Sequence, residues 1–549
     1  MRCLNAMTSI PSALIAVLAA MLMFPGAKAQ DHEHGMALEK IGTVSFETSC
    51  NTSAQAQFNR AVALLHSFEF KRAIDGFGAT LAADPSCAMA EWGIALSRWS
   101  NPFAAGIRPS ALLQQGRDGV ERARKAGFKS ERERAYVDAV SRLYADFEKS
   151  DQPTRVAAYR DAMGKLAAAY PKDDEAMIFY ALSIAAAASP ADKTFADQLK
   201  AGAMLETLIT KYPDHPGLAH YIIHSYDSPP LADRALAAAR RYAKIAPSAP
   251  HALHMPSHTF TRLGYWQDSI DTNIKSAEVA KREGSVAEEL HTMDYRVYAY
   301  LQTAQDRSAR QLLDALPEVA SRFDPEAIGS AAPGSAGVFA LAAIPARYAL
   351  ERGAWAEAAK LEPHSSKFPY TEALTYFARA IGAARIGDTA TIHSSIDELQ
   401  RIQQRLTDAH EDFWAGQAEI QRRAALAWLA FAEHRQADAL TEMRAAAGLE
   451  DGTEKSPVTP GPLAPARELL GEMLLAFKQP AEARKEFEAT LKKEPNRFRA
   501  VYGAAHASSI MGDRAAARGY YDQLLRICEH ADTPVRSELV EASRTMAAR

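Results

Sequence analysis

A 34-residue spacing of small residues, aromatic residues and prolines is the feature that most constrains how this 549-residue chain can fold. Near the C-terminus, Ala483 and Phe487 are followed 34 residues later by Ala517 and Tyr521. A period of this length indicates stacked pairs of helices, in which small residues let two helices approach and a closing proline ends the second one. A chain that is 48% hydrophobic and rich in alanine suits such a helical array.

The spacing and its anchors resemble the tetratricopeptide repeat (TPR), a helix–turn–helix unit of 34 residues. The resemblance covers most of Ala54–Asp532, and the strings HMPSHTFTRLG, KSPVTPGPLAPARELLGEMLL and EPNRFRAVYGAAHAS are similar to a group of exported bacterial TPR proteins. It implies an all-α superhelix, an α-solenoid of helical hairpins whose first helices line a concave groove. Because such arrays mostly bind proteins, the resemblance also implies a protein or peptide partner.

The N-terminus has the pattern of a secretory signal peptide. Arg2 precedes the apolar segment Ala13–Phe24, and the small-x-small tripeptide AKA ends at Ala29. We therefore predict a signal peptide at 1–29, cleavage after Ala29, and a periplasmic or secreted protein. The apolar segment is too short to span a bilayer, and no run of 18 apolar residues exists elsewhere. With a net charge of only −4 and no long basic run, we expect no nucleic-acid partner.

Two breaks divide the repeat array. The stretch GSAAPGSAG at Gly329–Gly337 has the composition of a flexible connection, and DGTEKSPVTPGPLAP at Asp451–Pro465 is a proline-rich loop that no helix can cross. These breaks predict one continuous superhelix in several blocks: an N-terminal tail at 30–53, an N-terminal TPR block at 54–328, a middle TPR block at 329–450, the loop at 451–465 and a C-terminal TPR pair at 466–549.

Four histidines occupy identical positions in two consecutive repeats, seven and eleven residues after the closing proline: His220, His224, His254 and His258. Each pair has i,i+4 spacing, so its two rings share one face of a helix. Packed helices lie about 8–10 Å apart, so two such pairs can converge on one metal ion as a four-nitrogen site. His251, one turn before His254, can join them as a further ligand.

Three more side chains are candidates for the same site, as alternative ligands or as groups that orient the ligands: His291, Asp227 and Asp294. Imidazole donors without a nearby thiolate favour copper or zinc over iron or nickel. Two other interpretations stay open. The histidines could be a neutral cluster that hydrogen-bonds an anionic or peptide ligand, or they could serve helix packing alone.

The leading hypothesis is an exported TPR scaffold or binding protein with a histidine-rich transition-metal site in its groove. One alternative is a metal-dependent enzyme that activates water or dioxygen at an open coordination position of the same cluster. Another is a protein-interaction module without metal. No motif identifies a catalytic residue, which favours a protein that is not an enzyme.

Several other residues are candidates for contacts with a ligand in the groove, although core packing is the more common role of their aromatic members: Trp92, Trp99, Tyr226, Arg262, Tyr295, Arg296 and Tyr298. Cys50 and Cys87 frame the first predicted hairpin. Because export permits disulfides, these two cysteines can form one, and a pair of buried thiols is the alternative.

Overall fold

The structure, a computed structural model, describes residues 39–104, 108–189, 191–327 and 331–547. The predicted signal peptide at 1–29, its cleavage site after Ala29 and residues 30–38 of the predicted tail lie outside the described residues. Within these ranges the chain forms helices and no strand, which confirms the predicted all-α class. None of the described helices combines the length and apolar character that crossing a membrane requires.

The helices follow one another with short connections. The first eight are α1 (Thr52–His66), α2 (Phe70–Ala83), α3 (Ala88–Trp99), α4 (Ser110–Ala126), α5 (Glu131–Ser141), α6 (Gln152–Ala169), α7 (Asp174–Ala187) and α8 (Ala196–Lys211), with a 3-10 turn at Arg142–Tyr144. The next nine are α9 (Pro216–Ser225), α10 (Ala232–Ile245), α11 (Pro250–His254), α12 (Pro256–Arg262), α13 (Trp266–Glu283), α14 (Val286–Gln302), α15 (Asp306–Ser321), α16 (Gly334–Glu351) and α17 (Trp355–Ala358). The last nine are α18 (Pro369–Ile386), α19 (Thr389–Asp408), α20 (Asp412–Ala432), α21 (Gln436–Asp451), α22 (Ala466–Ala476), α23 (Pro480–Lys493), α24 (Phe498–Ile510), α25 (Arg514–Ile527) and α26 (Ser537–Ala547).

Successive helices pack as hairpins, and glycines in the first helices make room for aromatic rings of the second helices. Phe487 in α23 lies between Gly471 in α22 and Gly503 in α24, where an added Cβ atom would come within 2.8 and 2.5 Å of the ring. Phe77 and Gly93 make the same contact near the N-terminus, where the distance would be 2.3 Å. Because this contact recurs in distant hairpins, the chain is a TPR-like helical repeat protein with a superhelical fold, as predicted.

The C-terminal hairpins return to pack against the middle of the chain. The indole N–H of Trp266 donates to the carbonyl oxygen of Asn496 at 2.9 Å, and the backbone N–H of Phe498 donates to the side-chain oxygen of Gln302 at 2.9 Å. Helix α14 is consequently covered on several sides, and most of its residues are buried. Its position matters for function because α14 carries one of the histidines described below.

The two predicted breaks differ in structure. Helix α16 begins at Gly334, so the end of the predicted flexible stretch is the first turn of a helix and not a connection. Close packing explains its small residues, since a Cβ atom at Gly337 would lie 2.4 Å from the ring of Phe323. The proline-rich segment does form a loop between α21 and α22, with Ser456 and Thr459 buried. From Lys40 onward the chain forms one compact unit, and its division into blocks stays a prediction.

A disulfide joins the two ends of the first hairpin. Cys50 precedes α1 and Cys87 precedes α3, with their Cα atoms 5.0 Å apart. The bridge therefore closes a loop that contains α1 and α2. The third described cysteine, Cys528, is a buried thiol.

Candidate metal centre

Pro256 divides the first helix of the central repeat into α11 and α12. Proline has no N–H, so it cannot continue the hydrogen-bond ladder to the carbonyl oxygen of Ala252. The chain nevertheless stays right-handed at Met255 (φ −53°, ψ −34°), and the backbone N–H of Met255 donates to the carbonyl oxygen of His251 at 2.9 Å. The break therefore leaves the i,i+4 relation of His254 and His258 intact, with their Nε2 atoms 3.1 Å apart.

Three histidines form a first triad between two neighbouring repeats. His220 and His224 project from α9, and His251 projects from α11. The ring centroid of His220 lies 4.8 Å from that of His224 and 5.0 Å from that of His251. One nitrogen from each of the three rings lies within 4.8 Å of the other two, so the triad can hold a metal ion.

A second triad repeats this arrangement one repeat later. His254 and His258 supply the i,i+4 pair, and His291 comes from α14, the following first helix. The centroid of His254 lies 5.0 Å from that of His258 and 4.5 Å from that of His291, and one nitrogen of each ring again lies within 4.8 Å of the others. The hydroxyl of Tyr295 lies 3.3 Å from Nε2 of His258.

The structure thus divides the predicted ligands differently from the expected four-nitrogen site. Each pair takes its third partner from the next first helix, because the ring of His251 turns back toward His220 and the ring of His291 turns back toward His254. The triads are adjacent: the centroids of His251 and His254 lie 6.0 Å apart, and those of His224 and His258 lie 6.2 Å apart. All six rings form one contiguous cluster.

Hydrogen bonds fix which nitrogen is free in two of the three rings of the first triad. Nδ1 of His220 lies 2.7 Å from the carbonyl oxygen of His66, which can only accept, so this Nδ1 carries the proton. Nδ1 of His251 donates in the same way to the carboxylate of Glu288 at 3.3 Å. The Nε2 atoms of His220, His224 and His251 are buried and have no hydrogen-bond partner. The lone pairs of His220 Nε2 and His251 Nε2 therefore lie in one triad with the unpartnered Nε2 of His224, and the two outer acceptors are of the kind that holds metal-binding histidines.

In the second triad, the lone pairs on Nε2 of His254 and Nε2 of His258 face each other. Nδ1 of His254 donates to the side-chain oxygen of Asn273 at 2.7 Å, and the amide of Asn273 is oriented by its own bond to the carbonyl oxygen of Ser269 at 2.8 Å. Nδ1 of His258 donates to Asp227 at 2.8 Å. Both Nε2 atoms are consequently acceptors at a separation of 3.1 Å, and Nδ1 of His291 has no partner. Two facing acceptors require a cation between them, either a proton or a metal ion.

Burial makes a proton the less suitable cation. It lowers the pKa of His254 to about 3, and it lowers the pKa values of His220, His224 and His291 well below their usual range. Neighbouring imidazoles lower the last three values further. At neutral pH these four rings are therefore neutral, the form in which imidazole binds a metal ion.

Asp227 orients a histidine and is itself held by two buried cations. Its carboxylate accepts from Nε of Arg262 at 3.0 Å and from Nζ of Lys455 at 3.2 Å. Burial raises the pKa of Asp227, but Lys455 and Arg262 lower it and keep it well below its usual range. Burial lowers the pKa of Lys455 to about 8. Asp227 thus acts on His258 as the orienting carboxylate that was one of its two predicted roles.

Five of the six histidines are buried and His224 is half-buried, which corrects the expectation of a site open to a groove. His220 and His254 have no exposed surface. The ring of Phe103 stacks on His224 at 4.1 Å, and Phe68, just after α1, stands edge-on to His220 at 4.3 Å. On the other side the proline-rich loop covers α14. The site is enclosed because this loop and the end of α1 both pack over the first helices.

In a third cluster, which the sequence analysis missed, the hydrogen bonds between side chains need no cation. Glu175 in α7 accepts from Nε2 of His66 and from Nε2 of His215, each at 3.0 Å, and the hydroxyl of Tyr221 donates to Nδ1 of His66 at 2.9 Å. Although burial opposes it, His215 and His66 lower the pKa of Glu175 to about 2. Every short contact here joins a donor to an acceptor. Since the carbonyl of His66 holds His220, this cluster positions the first triad.

The separations along the chain explain why the third cluster was missed. His66 lies 109 residues from Glu175, outside the 34-residue frame that revealed the triads. Asn273 and Glu288, which orient His254 and His251, were missed for another reason. A lone amide or carboxylate on a helix gives no signal in a single sequence.

The remaining predicted residues have structural roles. Asp294 forms a buried ion pair with Arg347 at 3.0 Å and does not join the histidines. Five predicted groove contacts lie in the packed interior or against other aromatic rings. They are Trp92 against Phe46 and Tyr136, Trp99 under Arg108, Tyr226 against Gly202, Arg296 near Tyr300, and Tyr298 beside Arg497. The helix-to-helix packing of aromatic rings accounts for them.

A cavity lies near the second triad, although none of the six histidines lines it. Its walls include Arg262 and Lys455, which hold Asp227, and Thr459, whose carbonyl oxygen accepts from the Tyr295 hydroxyl at 3.3 Å. The stacked rings of Tyr370 and Trp414, with centroids 3.9 Å apart, line another wall. The empty space between these residues is about 1190 Å³, part of which is open to solvent.

Comparison with known proteins adds little beyond the fold. No family model and no curated protein matches the chain. Among solved structures, the human IFIT1 dimer with m7Gppp-AAAA is similar at a TM-score of 0.38 and 10% identity, over 89% of this chain and 96% of that one. The P58(IPK) TPR domain is similar at a TM-score of 0.21 and 14% identity, over 69% of this chain and 100% of that one. Both likenesses are distant, and the absence of a nucleic-acid partner stays a prediction.

Proposed function

We propose that this protein is a TPR-like scaffold that binds transition-metal ions, copper or zinc before iron or nickel, at its buried histidine cluster. The observation that supports it best is the pair of facing Nε2 atoms on His254 and His258, 3.1 Å apart with both Nδ1 atoms already donating. All six ligands are imidazoles, which suit these metals. A cluster used only for packing would not leave several buried nitrogen atoms without partners.

The first prediction is loss of bound metal in the double variant His254→Ala/His258→Ala. Wild-type protein incubated with Zn(II), desalted and measured by elemental analysis should retain zinc, and the double variant should retain at least one ion fewer. His393→Ala is a matched control because the side chain of His393 is 60% exposed. If the wild type and the double variant both retained negligible zinc, metal binding would be contradicted. The histidines would then serve helix packing or bind an anionic or peptide ligand.

The proposal includes export of the chain and a protein or peptide partner. The Cys50–Cys87 disulfide supports export, because disulfides persist in oxidising compartments. N-terminal sequencing of protein from the native host should then begin at Gln30, and an intact Met1 would contradict it. Partner binding is the usual role of repeat arrays, with the metal cluster buried beneath the binding surface.

A metal-dependent enzyme is the second candidate, and the cavity beside the second triad favours it. Three histidine ligands leave one position of a tetrahedral ion open for water or another small ligand. We expect azide added to the Cu(II)-loaded protein to produce a new charge-transfer band. The variant Thr459→Trp, which fills the cavity wall, should weaken it. An unchanged spectrum would mean closed coordination and would favour storage or a structural role.

A further inference from the structure

We infer that the cluster binds two metal ions side by side, one in each histidine triad. The inference rests on the proposed function and adds its stoichiometry and the assignment of ligands. Both follow from how three successive first helices share their histidines.

Each triad is sufficient by itself for one ion. At metal–nitrogen bonds of about 2.0–2.1 Å, two ligands of a tetrahedral ion lie about 3.3 Å apart. The three nitrogen atoms of each triad lie within 4.8 Å of one another, so side-chain adjustments of an ångström or so bring them to an ion. In the second triad the His254–His258 separation of 3.1 Å already has this value.

A single ion cannot use all six rings. His251 and His254 stand on the same short helix but face different triads, with centroids 5.0 Å from His220 and 4.5 Å from His291 respectively. One ion at either triad leaves three imidazoles of the other with buried lone pairs, which is costly. Two ions satisfy both sets.

Each triad also has its own orienting acceptors. His66 and Glu288 serve the first triad, and Asn273 and Asp227 serve the second. Such outer partners are a general property of histidines that bind metal ions, and here two histidines of each triad have one.

One buried carboxylate lies where it can offset part of the charge of a metal ion in either triad. Glu288 is buried, accepts from His251 of the first triad and interacts electrostatically with His254 of the second, so it can offset positive charge in either one. The charge of Asp227 is already balanced by Arg262 and Lys455. Neutral imidazoles and one shared carboxylate favour ions with an affinity for nitrogen donors over hard oxygen-seeking cations.

Zinc stoichiometry of single-triad variants tests the inference. The full mature chain, equilibrated with Zn(II) and desalted, should hold two zinc ions per protein. His251→Ala and His291→Ala should each lower this number by one, the combined variant should lower it by two, and His393→Ala should not change it. If the wild type holds one zinc ion, the inference of two sites is wrong but the proposed metal binding stands. If it holds none, both the inference and the proposed metal binding are wrong.

A magnetic measurement on folded variants separates loss of a ligand from loss of structure. Two Cu(II) ions in adjacent triads lie within about 10 Å, the spacing of packed helices. Their dipolar coupling should broaden the electron paramagnetic resonance spectrum of the wild type. In His251→Ala and His291→Ala, which must keep the wild-type circular dichroism, the spectrum should be that of one isolated copper ion. An uncoupled wild-type spectrum at two equivalents of copper would contradict adjacent sites.

Discussion

Replacement of Asp227 by alanine is expected to lower the free energy of unfolding by about 3–5 kcal/mol, because it strips the partner from buried charges. Arg262 and Lys455 would lose the carboxylate that they share, and His258 would lose the acceptor of its Nδ1 proton. Loss of that orienting group should also weaken zinc binding about 10–100-fold. Denaturant unfolding of the metal-free variant and zinc titration of the folded variant measure the two effects separately.

Two further variants give this prediction a sharp control. The pair Lys71–Asp75 lies on the surface with 71% and 64% of its side chains exposed, so Asp75→Ala should change stability by less than about 0.5 kcal/mol. Adding Lys455→Met to Asp227→Ala removes one of the unpaired cations and should recover part of the lost stability. An effect of Asp227→Ala as small as that of Asp75→Ala would refute the proposed role of Asp227.

The metal-free protein is expected to lose stability steeply as the pH falls below about 6.5. An unfolded chain protonates its histidines near pH 6.5, whereas the folded chain keeps them neutral because burial lowers the pKa of His254 and of His220, His224 and His291. The stability is therefore complete above pH 6.5 and is lost between that pH and the lower folded pKa values. Each such histidine removes about 1.4 kcal/mol per pH unit.

Thermal unfolding at pH 7 and pH 5, with chelator present, measures this dependence. The melting temperature should fall on acidification, and the fall should be smaller in His254→Gln/His258→Gln, which cannot take up protons there. His530→Ala should behave as the wild type because 61% of this side chain is exposed. With zinc present, bound metal should be released over the same range, since protons compete for the ligands. A melting temperature independent of pH between 7 and 5 would contradict buried neutral histidines.

The 34-residue spacing was enough to predict the helical repeat and the location of the site. Ala483, Phe487 and the closing prolines repeat because the same two-helix contact recurs, and that contact depends on local sequence. The register also placed His220 and His224 in the same frame as His254 and His258. These predictions needed only the period of the chain and the geometry of one helix.

The 34-residue period could not predict how the histidines group into triads, because the grouping depends on contacts between helices. Which ring meets which is decided by the direction of each first helix, and α14 turns His291 back toward His254. The enclosure of the site depends on Phe68 and on Thr459, which come from distant parts of the chain. The repeat alone predicts histidines that face an open groove. In the structure, contacts between distant parts of the chain enclose them instead.

Because each triad takes a pair from one repeat and its third ring from the next, the number of sites depends on array length. Three consecutive histidine-bearing first helices form two triads, so the number of sites is one fewer than the number of such helices. Deleting the central repeat, which carries His251, His254 and His258, would leave two such helices and therefore one site, and losing either neighbour would also leave one. Duplicating the central repeat would add a site. Metal capacity in this architecture can thus change in whole steps by duplication or loss of repeats, since each repeat contacts only its neighbours.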